Sequence, residues 1–223
     1  FKRHWINPFN FVQNNPLIRI DPNGTTDFIL NKKTGQISQL GEANKDATDR
    51  ILVTDKKGKI KTKGNGIFRK KSEVGKPRIA IDKISKGILR DGINFQTQNQ
   101  AFKVEGANEP TLEQVQKFIL DLSDEVGVEI KGFEFGKKGE DKTSIVFVGK
   151  YEGNKERDSE ARLSAIPGVL ESVDGLEYRV LFHTHLTKYS DREKLTPSEG
   201  DANVKEEQSS LFKKFLIITT PYN

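Results

Sequence analysis

Cysteine and methionine are both missing from this chain of 223 residues, and histidine occurs three times. The absence of cysteine excludes disulfide bonds, cysteine-based zinc sites and a cysteine nucleophile. No apolar run approaches the roughly 18 residues that a transmembrane helix requires, so we expect no membrane span. Because methionine is missing even at position 1, we expect the chain to be a piece released from a longer protein.

The charged residues are unevenly distributed along the chain. Residues 1–100 contain 20 Lys and Arg against 9 Asp and Glu, whereas residues 101–223 contain 17 against 23. A basic front half and an acidic back half favour two units with different roles. Residues 106–110 (GANEP) break any regular element and mark the boundary. The sequence therefore predicts a basic, β-rich linker or adaptor region over 25–105 and a second domain over 106–223.

The basic region reads as hairpins followed by a run of positive charge. Residues 27–62 fit two β-hairpins, whose turns end at Gly35 and Gly58, as a position with positive φ demands. Basic residues then crowd the stretch 56–78, with Phe68 among them. Such a stretch can follow a nucleic acid backbone, or it can be a solvated positive surface. The residues alone leave both interpretations open.

Regular helix and strand patterns begin at about residue 110. Thr111 and Gln114 form a capping box at the start of a helix, whose apolar stripe ends at Gly127. The remaining pattern predicts, in order, strands over 128–135, 144–151 and 176–186, a helix from about Thr196, and a strand over 215–219. This order is typical of an α+β fold or an α/β sandwich.

Two of the three histidines stand on the third of these strands. His183 and His185 alternate, so both imidazoles project from one face and can reach a single metal ion. Residues 196–199 (TPSE) start a helix, and Ser198 and Asp201 share one face of its first turns. Two His and one Asp leave the fourth position of tetrahedral zinc for water, as in catalytic zinc sites. Ser198 and Asp201 also fit an ordinary helix N-terminus, where the dipole favours acidic residues.

A zinc hydrolase also needs a group that moves protons between water and the leaving amine. Glu129 is the candidate, because it stands early in a strand, ahead of Gly132 and Gly136, which permit close backbone approach. Glu134 projects from the opposite face, so at most one of these two carboxylates can serve. A strand glutamate that simply faces water is the other interpretation of Glu129.

The combined motif resembles that of a known enzyme family. Glu-x-x-Gly-x-x-x-Gly from 129, His-x-His at 183–185 and Ser-x-x-Asp at 198–201 resemble the JAMM motif of JAB/MPN-domain metallopeptidases. The resemblance spans about residues 110–220 and implies a JAB/MPN-like α/β sandwich, with a mixed sheet and flanking helices. It further implies zinc as the cofactor.

The resemblance also assigns roles to individual residues. It implies that His183, His185 and Asp201 bind zinc, that Glu129 is the general acid and base, and that Ser198 helps to hold the oxyanion. Two departures are Leu186, where the family usually has Pro, and the 12 residues between His185 and Ser198, a longer gap than usual. The polar insertion within 187–196 is expected to loop out over the cleft, which puts substrate specificity in doubt more than metal binding.

The first 24 residues carry a second resemblance. The run NPFNFVQNNPLIRIDPNG over 7–24 fits an extended arm rich in turn residues. It also resembles the end of the core in Rhs/YD-repeat proteins, where a large β-shell ends in such a segment and a variable C-terminal toxin follows. The resemblance implies that 1–24 is the end of an Rhs-like core and that the rest acts in a target cell after secretion or injection. The implied partners are the Rhs shell of the parent chain, a cognate immunity protein and a protein or peptide substrate.

Three functions are consistent with these observations. The sequence favours a zinc-dependent peptidase or isopeptidase that is the C-terminal toxin of an Rhs-type antibacterial effector. The first alternative is a nucleic-acid-directed (nuclease) toxin that uses the basic front half, and steeply salt-dependent binding would support it. The second alternative is a non-catalytic binding module with a vestigial metal site. The presence of all five motif residues argues against decay of the site.

Overall fold

The computed structural model describes residues 26–32, 35–42, 47–55, 57–64, 73–89, 93–95, 100–150, 175–187 and 214–218. Over these residues the chain is mixed α+β, mostly strands in two sheets, with one helix. The α+β class expected from the sequence is confirmed at this level. The segment 1–24, the helix expected from Thr196, the site residues Ser198 and Asp201, and all but the first residue of the insertion 187–196 lie outside the described residues.

The first sheet is built by the basic half of the chain. Its strands are β1 (Thr26–Asn31), β2 (Gln36–Leu40), β3 (Thr48–Leu52), β4 (Ile79–Ser85) and β5 (Ile93–Asn94). They lie in the order β4-β3-β1-β2-β5, with β1 and β3 parallel and the other pairs antiparallel.

Both hairpins predicted in this half are confirmed. β1 and β2 pair antiparallel around a turn that ends at Gly35, whose φ is 67°. In the second hairpin, Thr54 and Ile60 form an antiparallel bridge. The carboxylate of Asp55 accepts hydrogen bonds from the backbone N–H groups of Lys57 (2.8 Å) and Lys59 (2.9 Å), which fixes the turn.

The second sheet carries the predicted site. Its strands are β6 (Gln100–Lys103), β7 (Lys131–Lys137), β8 (Ile145–Val148), β9 (Leu176–Thr184) and β10 (Lys214–Ile218). Their order is β10-β9-β7-β8-β6, and β9 and β10 are parallel while the other pairs are antiparallel, so the sheet is mixed. Because β6 precedes residue 106, this sheet begins upstream of the predicted domain boundary, and the boundary itself stays a prediction.

The helix α1 (Leu112–Val126) begins and ends where the sequence predicts. The Thr111 hydroxyl accepts a hydrogen bond from the Gln114 backbone N–H, and the Gln114 side chain accepts one from the Thr111 N–H, which completes the capping box. Gly127 closes the helix in the left-handed conformation, with φ of 73°. The capping box and the terminal glycine were therefore sufficient to predict both ends of the helix.

One hydrophobic cluster contains side chains of both sheets and of α1. Phe118 of the helix lies at the junction, because its ring centroid is 6.4 Å from that of Phe95 and 6.4 Å from that of Phe102. A second, smaller cluster covers the opposite face of the second sheet and includes Phe133 and Leu181. Both faces of β7 and β9 are therefore packed.

Several strand ends differ by a few residues from the sequence prediction, and two of them lie at the predicted site. The strand expected from residue 128 starts at Lys131, because the Ile130 N–H donates to the side-chain Oγ1 of Thr184 (2.9 Å) and not to the backbone ladder. The strand expected to reach residue 186 ends at Thr184, and the Thr187 N–H donates to the Asp124 carboxylate (2.7 Å). Glu129 accordingly lies two residues ahead of β7.

Two glycines of β7 are required by close packing. A Cβ at Gly132 would collide with the carbonyl oxygen of Phe147 and the ring of Phe182. A Cβ at Gly136 would collide with the guanidinium group of Arg179. The close approach predicted for these two positions is confirmed.

Replacing Gly132 by Ala is expected to lower the free energy of unfolding by about 1–3 kcal/mol, because a backbone carbonyl on β8 cannot yield without disturbing its pairing. Urea denaturation measures the change. Gly64→Ala is the matched control, since a Cβ there meets no atom within 4 Å. Equal midpoints for the two variants would contradict the packing argument.

Candidate metal centre

The imidazoles of His183 and His185 meet at one point. Their Nε2 atoms are 2.7 Å apart and their ring centroids 4.7 Å apart. Both side chains are buried, with exposed fractions of 1% and 5%. At this distance one Nε2 donates a hydrogen bond and the other accepts it. The two nitrogen atoms that would ligate a metal are thus the two that converge.

This arrangement is compatible in chemistry and approximately in geometry with zinc. Two Zn–N bonds of about 2.05 Å at a tetrahedral angle hold the nitrogen atoms about 3.3 Å apart. Small ring rotations would open the contact between His183 and His185 to that separation. Within the described ranges, no three His, Asp or Glu side chains are grouped closely enough to hold a metal ion. The third predicted ligand, Asp201, lies outside those ranges.

Glu129 precedes β7, the strand that pairs with the histidine-bearing strand β9. β7 and β9 pair antiparallel, with Lys131 opposite His183. The Thr184 N–H donates to the Ile130 carbonyl (3.0 Å), so the ladder extends one residue beyond β7. If this register continued one residue farther, Glu129 would come opposite His185. Opposed residues of an antiparallel pair share a face and have Cβ atoms about 4.5–5.5 Å apart.

Glu134 is held on the other face of the sheet. Its carboxylate is 3% exposed and accepts hydrogen bonds from Gln116 Nε2 (2.8 Å) and Thr143 Oγ1 (2.9 Å). Gln116 belongs to α1, which packs on the face opposite to His183. Glu134 therefore serves to bind the helix to the sheet, and the opposite orientation expected for Glu129 stays a prediction.

A buried network of hydroxyl groups holds the residue between the two histidines. Ser123 Oγ is 2.6 Å from Thr184 Oγ1 and donates to the Val128 carbonyl (2.7 Å). Thr184 Oγ1 in turn accepts from the Ile130 N–H (2.9 Å). Both hydroxyl side chains are fully buried. At the next residue of α1, the Asp124 carboxylate accepts a hydrogen bond from the Thr187 N–H.

Sequence reasoning missed this network. The sequence motifs assign no role to Thr184, the middle residue of His-x-His, or to Ser123 within the helix. A usable signal was present, since Ser123 follows Leu122 on the apolar side of α1, where a hydroxyl needs a buried partner. The partner itself is 61 residues away in the chain.

Residues 57–63 and 75–78 form a second chemical feature, which we call the basic ribbon. The two segments are joined by hydrogen bonds from Lys63 N–H to the Lys76 carbonyl and from Arg78 N–H to the Lys61 carbonyl, each 2.8 Å. Exposed basic side chains cover it: Lys57, Lys59, Lys61, Lys76 and Arg78. Glu73 lies beside the ribbon, and hydrogen bonds from Lys63 and Lys76 lower the pKa of its carboxyl group to about 2.

Among the described residues, no helix has the length and apolar character needed to cross a membrane.

No protein-family model matches the chain. No curated protein matches it, and no solved structure matches it.

Proposed function

We propose that the chain is a zinc-dependent peptidase or isopeptidase of the JAMM type, acting in a target cell as the C-terminal toxin of an Rhs-type antibacterial effector. The observation that carries the proposal is the convergence of His183 and His185 Nε2 atoms at the end of β9. The pairing of β7 with β9 is compatible with a nearby carboxylate, since Glu129 would come opposite His185 if the register continued beyond the two strands. The mixed second sheet with α1 on one face supports a JAB/MPN-like sandwich.

Three residues of this chain would hold the metal. His183 and His185 supply two neutral imidazoles, and Asp201 supplies the carboxylate that completes a three-residue set. A zinc ion held there would supply Lewis-acid chemistry, polarising an amide carbonyl and lowering the pKa of a coordinated water to about 7. Burial of both imidazoles keeps the surrounding dielectric low, which strengthens the electrostatic contribution.

The proton transfers are assigned to Glu129. Its carboxylate takes a proton from the attacking water and later returns one to the departing amine. The Ser198 hydroxyl donates a hydrogen bond to the substrate carbonyl oxygen as negative charge develops there. A protein or peptide is the substrate, and the partners of the toxin are the Rhs shell of its parent chain and a cognate immunity protein.

Metal analysis and a cleavage assay test this function together. We expect about one zinc ion per chain in protein purified without chelator. The cleavage products in target-cell lysate, followed by mass spectrometry, should disappear with a chelator and return with zinc. Zinc-free protein, or cleavage that a chelator leaves unchanged, would contradict the proposal. Stoichiometric zinc without any cleavage would instead identify the non-catalytic binding module.

The basic ribbon favours a second candidate, a nucleic-acid-directed toxin. Its exposed Lys and Arg side chains lie along two paired segments, as a surface that tracks phosphates requires. Binding of DNA or RNA that falls steeply with salt, together with metal-dependent phosphodiester cleavage, would establish this candidate. Peptide cleavage that persists after removal of residues 1–100 would exclude it.

A further inference from the structure

The C-terminal end of α1 is tied to the His183–His185 segment by two adjacent side chains, Ser123 and Asp124. We propose that these two are positioning residues, which fix the direction of both imidazoles before a metal binds. This inference rests on the proposed metal site. It extends that site to residues that the JAMM-like motif does not contain.

Ser123 acts through Thr184. Thr184 lies between the histidines, and alternation along a strand sends its side chain to the helix face while the two imidazoles project from the other. Its Oγ1 is fixed from two sides, by Ser123 Oγ at 2.6 Å and by the Ile130 N–H at 2.9 Å. Because Thr184 is completely buried and held at its Oγ1, rotation of the backbone around it is restricted. The same restriction applies to His183 and His185 on either side.

Ser123 also fixes the approach to β7. Its hydroxyl donates to the Val128 carbonyl, and its backbone carbonyl accepts from the N–H groups of Gly127 (2.8 Å) and Val128 (3.2 Å). The residue after Val128 is Glu129, the proposed proton shuttle. Ser123 therefore restrains two backbone segments, the end of β9 that carries the imidazoles and the segment before β7 that carries Glu129.

Asp124 holds the far side of the histidine pair. Its carboxylate accepts a hydrogen bond from the Thr187 N–H at 2.7 Å, two residues beyond His185. β9 has ended at Thr184, so Thr187 has no strand partner among the described residues. Ser123 restrains the backbone before His185, and Asp124 restrains it after His185. The His185 imidazole is therefore kept beside that of His183.

The first test compares the zinc affinities of variants that remove these side-chain contacts. Ser123→Ala is expected to weaken zinc binding by about tenfold, the lower end of what loss of a supporting hydrogen bond costs a metal site. Asp124→Ala, a change at a partly exposed residue that leaves the core intact, should weaken it in the same direction. Ser123→Thr, which keeps the hydroxyl, should restore affinity. Isothermal titration with zinc supplies the values.

The control is Thr143→Val, which removes another buried hydroxyl, in the connection between β7 and β8, whose hydrogen-bond partner is Glu134 and not a histidine. It should lose stability while retaining wild-type zinc affinity. Wild-type affinity in both Ser123→Ala and Asp124→Ala would overturn the proposal, as would an equal loss in Thr143→Val.

A second readout separates this inference from the proposed function. In zinc-free wild-type protein, ¹⁵N NMR should show one protonated and one unprotonated Nε2 in the His183–His185 pair, and Ser123→Ala should average the two signals. If wild-type protein binds no zinc, the proposed function fails, and the NMR comparison still decides the positioning role. Unchanged, distinct signals in Ser123→Ala would reject that role.

Discussion

Replacing Glu129 by Gln is expected to leave the zinc content at wild-type level and to lower kcat by about 10²–10⁴-fold. Glutamine keeps the size and the hydrogen-bonding oxygen of glutamate, but it cannot accept a proton from water and return it to an amine. Because Glu129 is not among the proposed ligands, the metal site should persist. Metal analysis and cleavage rates on the same preparation measure the two effects.

Glu113→Gln is the matched control for this prediction. It removes the same charge from an exposed position in the first turn of α1 and should leave both zinc and kcat unchanged. If Glu129→Gln retained wild-type kcat, the proton shuttle would have to be assigned elsewhere. If it lost zinc, Glu129 would be a ligand.

Replacing His183 by Ala is expected to abolish stoichiometric zinc binding and to reduce cleavage to the background level. Removing one of three protein ligands leaves two, which is fewer than catalytic zinc sites use. The imidazole is 1% exposed, so its loss also opens a small cavity beside β7 and costs stability. Metal analysis should therefore be accompanied by urea denaturation, to show that the variant is folded when assayed.

The third histidine of the chain, His4, supplies the control. His4→Ala should retain zinc and cleavage, whereas His185→Ala should behave as His183→Ala does. Full zinc occupancy in folded His183→Ala protein would contradict the proposed ligand set.

Features set by neighbouring residues could be predicted from the sequence. The capping box at Thr111 and the left-handed Gly127 depend on contacts within one helical turn, and both were confirmed. The hairpin turns that end at Gly35 and Gly58 likewise depend on a few adjacent residues. The ends of the strands near the site could not be predicted in this way. The Thr184 and Asp124 side chains accept hydrogen bonds from the backbone N–H groups of Ile130 and Thr187, which are far from them in the chain.

The same distinction between local and long-range features applies to the candidate site. That His183 and His185 share a face follows from alternation within a single strand. Whether Glu129 comes close to His185 depends on the register between β7 and β9, which are separated by almost 40 residues. Hydrophobic pattern alone does not fix such a register. The support from Ser123 was invisible for the same reason, since its partner Thr184 belongs to a strand far along the chain.

The proposed function depends most on whether His183, His185 and Asp201 bind one metal ion. A crystal structure of the zinc-loaded protein, with anomalous data at the zinc edge, tests this most directly. We expect a single strong peak, about 2.0–2.2 Å from Nε2 of both histidines and from a carboxylate oxygen of Asp201. No peak between the two imidazoles, with their Nε2 atoms still bonded to each other in saturating zinc, would contradict it.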